Sequence, residues 1–444
     1  MIRAGRLLLA LLALMSIVVL MQWWGDSSRA VGADPIRGTA LSIGLLLLGS
    51  WLFGRLFREI RLPKLSGYLV FGIIIGPDAL ALLPAAELPS LRLVETIAIS
   101  LIALIAGGEI EVEFLKRSAR LVASIVTLQL IGVFAAVATV VYLLAPWVGL
   151  ADPDHPAGRI VASVIAGTIA TAASPAVFIA VMNELHATGD NVRTSLAVMI
   201  AKDLALIVVF TIVVSIAGSA FATGAETDAP RVVSALALHL LGSLAGGVVF
   251  GVAFAWYMHA VRAHLGIFVV VGCVTIVAVS EALDLEPLIV ALIAGVLMRN
   301  VWRERVGPFF HTMEDLSLPV YCVFFAVAGA KLDLGVLGRM WPAALAVVAV
   351  RAGAIWLTTD FGCRLAGHGP PLRRWLWTAF IPQAGVSVAL IAIIATSFQD
   401  QAFAAPLYSL VLAVIAIHEL VGPIVLRLGL VKLQEEDRSA GGGA

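Results

Sequence analysis

Long apolar runs repeat along the whole chain, and they constrain its fold more than any other feature. A bilayer core about 30 Å thick is crossed by a helix of roughly 20 apolar residues. The 444 residues are 61% hydrophobic and only 13% charged. A soluble domain carries roughly 25% charged residues, so this chain cannot cover a water-facing surface of its size. The sequence therefore predicts an all-α polytopic membrane protein.

Fourteen runs have the length or nearly the length of a membrane span. One of them, 287 to 299, has only 13 residues and predicts a half-helix or a helix that continues toward Trp302. The connections are short and leave no room for a soluble domain. The fourteen runs are 7 to 24, 39 to 57, 66 to 83, 93 to 110, 121 to 145, 159 to 182, 194 to 218, 232 to 258, 266 to 283, 287 to 299, 312 to 332, 341 to 363, 374 to 397 and 406 to 427.

Basic residues indicate the orientation, because Lys and Arg collect in cytoplasmic loops. With a cytoplasmic N-terminus, the alternation places 20 of the 29 basic residues inside and 7 outside, and leaves Lys202 and Arg351 within the membrane. This predicts a multi-pass membrane protein with a cytoplasmic C-terminus, and we expect it in the cell inner membrane. The formal net charge is zero, so composition gives no indication of a nucleic-acid partner, and none is expected.

The first run also fits a cleaved signal peptide, because Arg3 and Arg6 precede it and a small-residue segment, 31 to 33, follows it. Its 18 residues are long for a signal core, which favours a retained helix; cleavage would leave 13 helices. We divide the chain into a signal-like or first transmembrane segment, 1–38, a transmembrane domain, 39–427, and a short cytoplasmic tail, 428–444.

Ionisable side chains lie near the centre of three runs, where each costs roughly 2.5 to 3.5 kcal/mol. They are Lys202 with Asp203, Arg351, and Glu419. A salt-bridge cluster that holds helices together is one interpretation, and a midplane site for a proton or cation is the other. Desolvation raises the pKa of a buried carboxyl group and nearby cations lower it, so a proton and a metal ion can compete for such a group near neutral pH.

Helix breakers interrupt two runs. The segment Thr168 to Pro175 combines a proline with small hydroxyl residues, and Pro382 and Gly385 interrupt the run 374 to 397. Freed backbone groups at membrane depth are tolerated only where they line a cavity or are buried in protein, although a simple proline kink is an alternative. Continuous, broken and charged runs follow in the same order in both halves, with opposite orientation. This pattern predicts the inverted repeats of secondary transporters.

Residues from about 39 to 427 resemble the monovalent cation:proton antiporter 2 family of sodium/proton and potassium/proton exchangers. The resemblance rests on the order and spacing of six motifs, each of them weak alone. These are GYLVFGIIIGP (67 to 77), ALIAGGEIEV (103 to 112), TAASPAV (171 to 177), AKDLALIVVF (201 to 210), PLIVALIAGVLM (287 to 298) and IPQAGVSVAL (381 to 390).

The resemblance implies a homodimeric antiporter in which a mobile core moves past a dimerisation part, with two crossed broken helices. It implies that Asp203 binds the proton and the transported sodium or potassium ion in turn, as the one metal ligand among the ionisable residues. Hydroxyl groups such as those of Thr171 and Ser174 would complete the site. Arg351 matches a membrane-embedded Lys or Arg of the family. The broken-helix residues are Pro175, Pro382, Gln383 and Gly385.

Lys202 departs from the family pattern, in which an acid or an Asn precedes the aspartate. A single titrating carboxylate predicts one proton per monovalent cation, and hence electroneutral exchange. Two cations, Lys202 and Arg351, also need a second acid for charge balance, and we expect Glu419 to fill that role as a charge-balancing partner. Such an exchanger would serve pH homeostasis.

Two other functions fit the same fold. A cation channel would also line its path with polar groups, and Lys202 could hold Asp203 in a permanent ion pair in a non-transporting sensor or partner subunit. No HExxH zinc motif is present and the eight histidines are scattered, so we expect neither an enzyme nor a cofactor. The sequence does not distinguish sodium from potassium.

Overall fold

The computed structural model describes residues 35–150, 156–221, 229–260, 265–283, 285–302 and 307–441, together with Ser16. These residues form helices and contain no β-strand within the described ranges. The α-helices are α1 (Pro35–Glu59), α2 (Lys64–Ile75), α3 (Arg92–Gly108), α4 (Val112–Arg117), α5 (Ala119–Leu144), α6 (Pro156–Ala170), α7 (Pro175–Leu185), α8 (Asp190–Phe221), α9 (Ala229–Ala260), α10 (Leu265–Ala282), α11 (Pro287–Val301), α12 (Gly307–Ala330), α13 (Leu334–Leu365), α14 (Pro370–Trp375), α15 (Gly385–Ser397) and α16 (Ala404–Gly441). Short 3-10 helices occupy Ala85–Leu91 and Leu376–Phe380.

The all-helical polytopic architecture predicted from the sequence is confirmed. Within the described ranges, seven helices are long and apolar enough to cross a membrane, or up to nine if each of two bent pairs is one span. Shorter apolar helices lie at Lys64–Ile75, Pro287–Val301 and Leu316–Ala330. The total is below the predicted 13 or 14 because several runs form short helices. The first predicted run, 7 to 24, lies outside the described residues apart from Ser16.

Two helix ends differ from the sequence prediction. Helix α2 ends at Ile75 rather than near 83, since Pro77 has no backbone N–H and disfavours helical geometry in the residue before it. At the other end of the chain, α16 continues through Gly441, so most of the predicted tail is helical. Leu430 and Leu433 are fully buried there, which ties this extension to the rest of the protein.

The helices pack as two groups. The first helix group contains α1 to α3 and α9 to α12, and the second helix group contains α5 to α8 and α13 to α16. Close backbone approach holds the first group together: a Cβ atom on Gly72 would lie 1.9 Å from the carbonyl oxygen of Ala326 on α12. Small residues permit such contacts between membrane helices, where packing rather than the hydrophobic effect drives association.

The second helix group contains both broken helices. There α5, the pair α6 and α7, and α8 follow in the order continuous, broken and charged, and α13, the pair α14 and α15, and α16 repeat that order. The two groups touch where α3 meets α7, where α8 meets α9, and where α2 meets α16 and α7. The charged helix α8 therefore lies both beside a break and at the boundary between the groups.

Candidate ion-binding site

The first break has a local cause in the sequence. Helix α6 ends at Ala170, and α7 starts at Pro175, whose fixed φ suits a first helical position where no N–H partner is needed. Ser174 is the N-cap residue of α7, and its hydroxyl oxygen accepts a hydrogen bond from the backbone N–H of Val177 at 3.3 Å. The hydroxyl of Thr171 donates to the carbonyl of Thr168 at 2.8 Å.

The second break joins the first directly. The helical segment Leu372–Phe380 before it is bent by 46° from the segment Gly385–Ala395 after it. The backbone N–H of Ser174 donates to the carbonyl of Pro382 at 3.0 Å. The side-chain amide of Gln383 donates to the carbonyl of Ile169 at 3.0 Å. Gly385 is the first residue of α15 and has open space where a Cβ would be. The two broken segments therefore cross in contact, as the predicted fold class requires.

Arg351 on α13 holds both breaks. Its guanidinium donates to the carbonyl oxygens of Ala170 at 2.7 Å and Ala172 at 2.6 Å in the first break. It also donates to those of Ile381 at 2.8 Å and Phe380 at 3.2 Å in the second. The side chain is completely buried. These carbonyl groups are orphaned by the helix ends and carry the negative end of the helix dipole, so a cation is their natural partner.

Asp203 on α8 faces a cavity of about 50 Å³ between the two helix groups. The wall comes from α3 and α11 of the first group and from α7, α8 and α15 of the second, and Asp203 is its only polar side chain among the described residues. Its Oδ1 accepts from the N–H of Ala173 at a long 3.5 Å. Its Oδ2 is buried and has no hydrogen-bond partner within the described residues.

Lys202 precedes Asp203 on α8 but bonds elsewhere. Its ammonium donates to the side-chain oxygen of Gln129 on α5 at 2.9 Å. The amide nitrogen of Gln129 in turn donates to the hydroxyl of Thr359 on α13, also at 2.9 Å. The ring of Phe380 lies 4.9 Å from the Lys202 nitrogen in a cation–π contact. All four side chains are buried.

Glu419 on α16 is buried with its Oε2 atom unbonded within the described part of the chain. None of the ion pairs among the described residues joins it to Lys202 or Arg351, whose hydrogen bonds go to Gln129 and to backbone carbonyls. The carboxylate of Glu95 on α3 is near enough to act on it electrostatically.

Sequence reasoning missed Gln129 and Thr359. Gln129 could have been identified from its side-chain amide, since it is the only Asn or Gln in the run 121 to 145. An amide in an apolar span needs internal hydrogen-bond partners, because lipid offers none. Thr359 gave no comparable signal, since threonine in a helix can bond its own backbone.

The arrangement supplies one carboxylate oxygen for a ligand in an apolar cavity. About 50 Å³ is room for several water molecules or a partly hydrated cation. Oxygen atoms are the ligands that alkali and other hard cations prefer, and the same carboxylate can take a proton instead. A proton and a small cation thus compete for a single group.

Comparisons with known proteins bear on the family and on the fold. A family model described as "Sodium/hydrogen exchanger, transmembrane" matches residues 43–432. The fold is similar to that of the sodium proton antiporter MjNhaP1 from Methanocaldococcus jannaschii at pH 8, with a TM-score of 0.61, 17% identity, and coverage of 92% of this chain and 97% of that one. An electron-microscopy structure of the same antiporter has a TM-score of 0.62, 16% identity, and coverage of 93% and 97%. At such identities the likeness concerns the fold alone. No curated protein matches the sequence.

Proposed function

The chain belongs to the sodium/hydrogen exchanger family, and from this we propose that Asp203 is the group at which its cation:proton exchange takes place. The observation that carries the proposal is the carboxylate itself. It is buried, one of its oxygen atoms has no partner within the described residues, and it lines the cavity between the two helix groups. In this proposal the carboxylate binds a proton and a sodium or potassium ion in turn.

Alternating access follows from where the cavity lies. Its walls belong to two helix groups, so sliding of one group past the other would expose Asp203 first to one side of the membrane and then to the other. The hydroxyls of Thr171 and Ser174 do not line the cavity, but they lie in the first break, where the N–H of Ala173 bonds Asp203, and we propose them as the remaining cation ligands. Gln383 supports the same site from the second break, because it bonds the carbonyl of Ile169.

Exchange is electroneutral in this proposal. One carboxylate releases one proton for each monovalent cation that it binds, so the net charge moved is zero. Lys202 occupies the position where a second acid would stand, and its bond to Gln129 leaves Asp203 as the titrating group on this stretch of α8. Glu419 serves as the second buried acid that offsets the charges of Lys202 and Arg351.

The cellular setting is part of the same proposal. A homodimer in the cell inner membrane with a role in pH homeostasis is what the family resemblance implies. A cytoplasmic C-terminus fits the charge bias of 20 basic residues inside against 7 outside. Exposed apolar side chains on α9, among them Leu238, Val249 and Trp256, suit contact with lipid or with a second copy.

Proteoliposomes with a pH-sensitive dye test the proposal. Protein would be reconstituted with an outward proton gradient and exposed to sodium, potassium or lithium, with the membrane potential either free or clamped by an ionophore selective for an ion outside the test series. We expect cation-dependent proton flux from the wild type and none from Asp203→Asn. The rate should not change when the potential is imposed.

Separate outcomes address the separate parts of the proposal. A flux that responds to the imposed potential would refute electroneutrality while leaving exchange intact. If Asp203→Asn gives the same proton flux as the wild type, Asp203 is not the group that binds the proton and the cation. An unchanged gradient with both proteins would support a non-transporting sensor instead. Normal folding and flux in Glu419→Gln would exclude Glu419 from charge balance.

A further inference from the structure

The ammonium of Lys202 is held on the side of α8 away from the Asp203 cavity. Gln129 accepts its hydrogen bond, Thr359 holds the Gln129 amide, and the Phe380 ring covers the ammonium. The three partners come from α5, α13 and the second break, so three separate segments contribute to one position for a single side chain. None of these partners is charged, although Asp203 is the next residue along the helix.

A buried ammonium without an anion is costly, and a carboxylate is a stronger partner than an amide oxygen. Lys202 and Asp203 already attract each other electrostatically. The Oδ2 atom of Asp203 has no partner within the described residues, so an acceptor is available. Neighbouring helix residues do not face each other, yet a four-carbon lysine stem is flexible enough to turn. The Gln129 amide therefore competes with Asp203 for the Lys202 ammonium.

We propose that Gln129 is a positioning residue for cation exchange: it holds the Lys202 ammonium away from Asp203 and thereby keeps that carboxylate available to the transported ion. This proposal rests on the role of Asp203 proposed above. Thr359 contributes through Gln129, because its hydroxyl accepts a hydrogen bond from the amide nitrogen and so holds the amide in place. Without the Gln129 amide, the Lys202 ammonium turns to Asp203 and competes with the transported cation for that carboxylate.

Gln129→Met tests the proposal, since methionine keeps the length and apolar packing of the side chain but not the acceptor. We expect the cation concentration for half-maximal exchange to rise about tenfold, the equivalent of one charge-assisted hydrogen bond. The maximal rate at saturating cation should change far less, because added cation displaces the ammonium. Thr359→Val should shift the half-maximal concentration in the same direction by a smaller factor.

Lys202→Met provides the decisive background. If Gln129 acts by holding the ammonium, Gln129→Met has no effect on half-maximal cation concentration once Lys202→Met is present. An equal rise with and without Lys202→Met would overturn the proposal, because a purely structural amide would act regardless of Lys202. The absence of a rise in the protein that retains Lys202 would overturn it as well. The four proteins form a double-mutant cycle, and thermal unfolding in detergent would verify that each is folded.

A binding measurement separates this proposal from the one on which it rests. Cation-dependent thermal stabilisation of the purified proteins reports occupancy of Asp203 without any transport. If the wild type shows no exchange, the exchange mechanism is refuted. The positioning role is still supported if sodium or potassium stabilises Gln129→Met less than the wild type, and if this difference disappears when Lys202→Met is added. Equal stabilisation of wild type and Gln129→Met would refute the positioning role alone.

Discussion

Arg351 is the side chain on which the crossing of the two breaks depends most. Four carbonyl oxygens from segments about 200 residues apart in sequence converge on three nitrogen atoms of one guanidinium. No water is available at membrane depth to replace those bonds, and each unsatisfied buried group costs roughly 1 to 3 kcal/mol. The planar fork of arginine matches several diverging acceptors, whereas a lysine ammonium donates from one point.

We therefore expect Arg351→Ala to lose the folded state in detergent, or to unfold far below the wild-type temperature. Arg351→Lys should be intermediate, since one nitrogen can reach only part of the carbonyl set. Fluorescence-detected size exclusion after heating would measure both. The exposed Arg339 on the same helix is the matched control, and Arg339→Ala should change stability by less than about 0.5 kcal/mol. Equal stability of Arg351→Ala and Arg339→Ala would contradict the assignment.

The sequence identified Arg351 as a buried charge but did not predict that it would bond backbone carbonyls. Hydropathy shows which charges lie in lipid, and charge arithmetic then suggests that cations and anions pair. The arithmetic omits backbone carbonyl groups, which become acceptors only where a helix is interrupted and brought near. Whether these carbonyl groups come near Arg351 depends on how the two breaks cross. The sequence of either segment alone does not show this.

Among helix pairs, α3 and α11 make an unusually close contact in the first helix group. A Cβ atom on Gly295 would lie 2.3 Å from the carbonyl oxygen of Leu104, and one on Gly107 would lie 2.1 Å from that of Leu292. Both clashes involve backbone atoms, which cannot move aside as a side chain can. The same two helices line the Asp203 cavity, so their separation also sets the width of one cavity wall.

Gly295→Ala is expected to destabilise the protein by about 1 to 3 kcal/mol, the usual range for overpacking. It should also slow exchange, because separating α3 from α11 deforms the cavity wall. Gly353→Ala on α13 is the control: nothing lies within 4 Å of its added Cβ, and alanine favours the helix. Thermal unfolding and proton flux of the two variants would be compared. A Gly295→Ala protein as stable as Gly353→Ala would contradict this packing.

The helices were predicted best, because a helix that crosses the lipid core needs a run of apolar residues of matching length, and such runs are visible in the sequence. The runs 121 to 145 and 194 to 218, for example, correspond to α5 and α8 within a few residues. Both breaks were also located, since proline marks them chemically. The short α2 was overestimated because apolar composition continues past the Gly76-Pro77 break, and the extension of α16 was missed because its charged surface hides the buried Leu430 and Leu433.

Between the two helix groups, polar contacts collect at the end of the protein predicted to be cytoplasmic. The carboxylate of Glu184 accepts the N–H of Lys64, at the start of α2, through both oxygens at 3.1 and 2.9 Å. An acid at a helix N-terminus is favourable for the dipole as well. Glu184 lies in the last turn of α7, and Ser174 at the other end of α7 lies in the first break. A helix of 11 residues, about 16 Å long, thus links this contact to the site.

If the groups slide past each other during transport, the contact between Glu184 and α2 must open in every cycle. A protein with alanine at Cys273, Cys322 and Cys363 would carry Lys64→Cys with Glu184→Cys, joined by a short reducible bifunctional thiol reagent. We expect cross-linking to stop proton flux in proteoliposomes and reduction to restore it, because a covalent tie prevents the two groups from separating at that end.

The matched control is a cysteine pair inside the second helix group, Asp360→Cys with Arg373→Cys, where the native side chains form an ion pair at 2.7 Å. Both residues move together if that group is one rigid unit, so the same reagent should leave flux unchanged. Full activity of the cross-linked 64 and 184 pair would mean that this end stays closed throughout the cycle. The motion that exposes Asp203 would then have to occur within the second helix group, at the breaks held by Arg351.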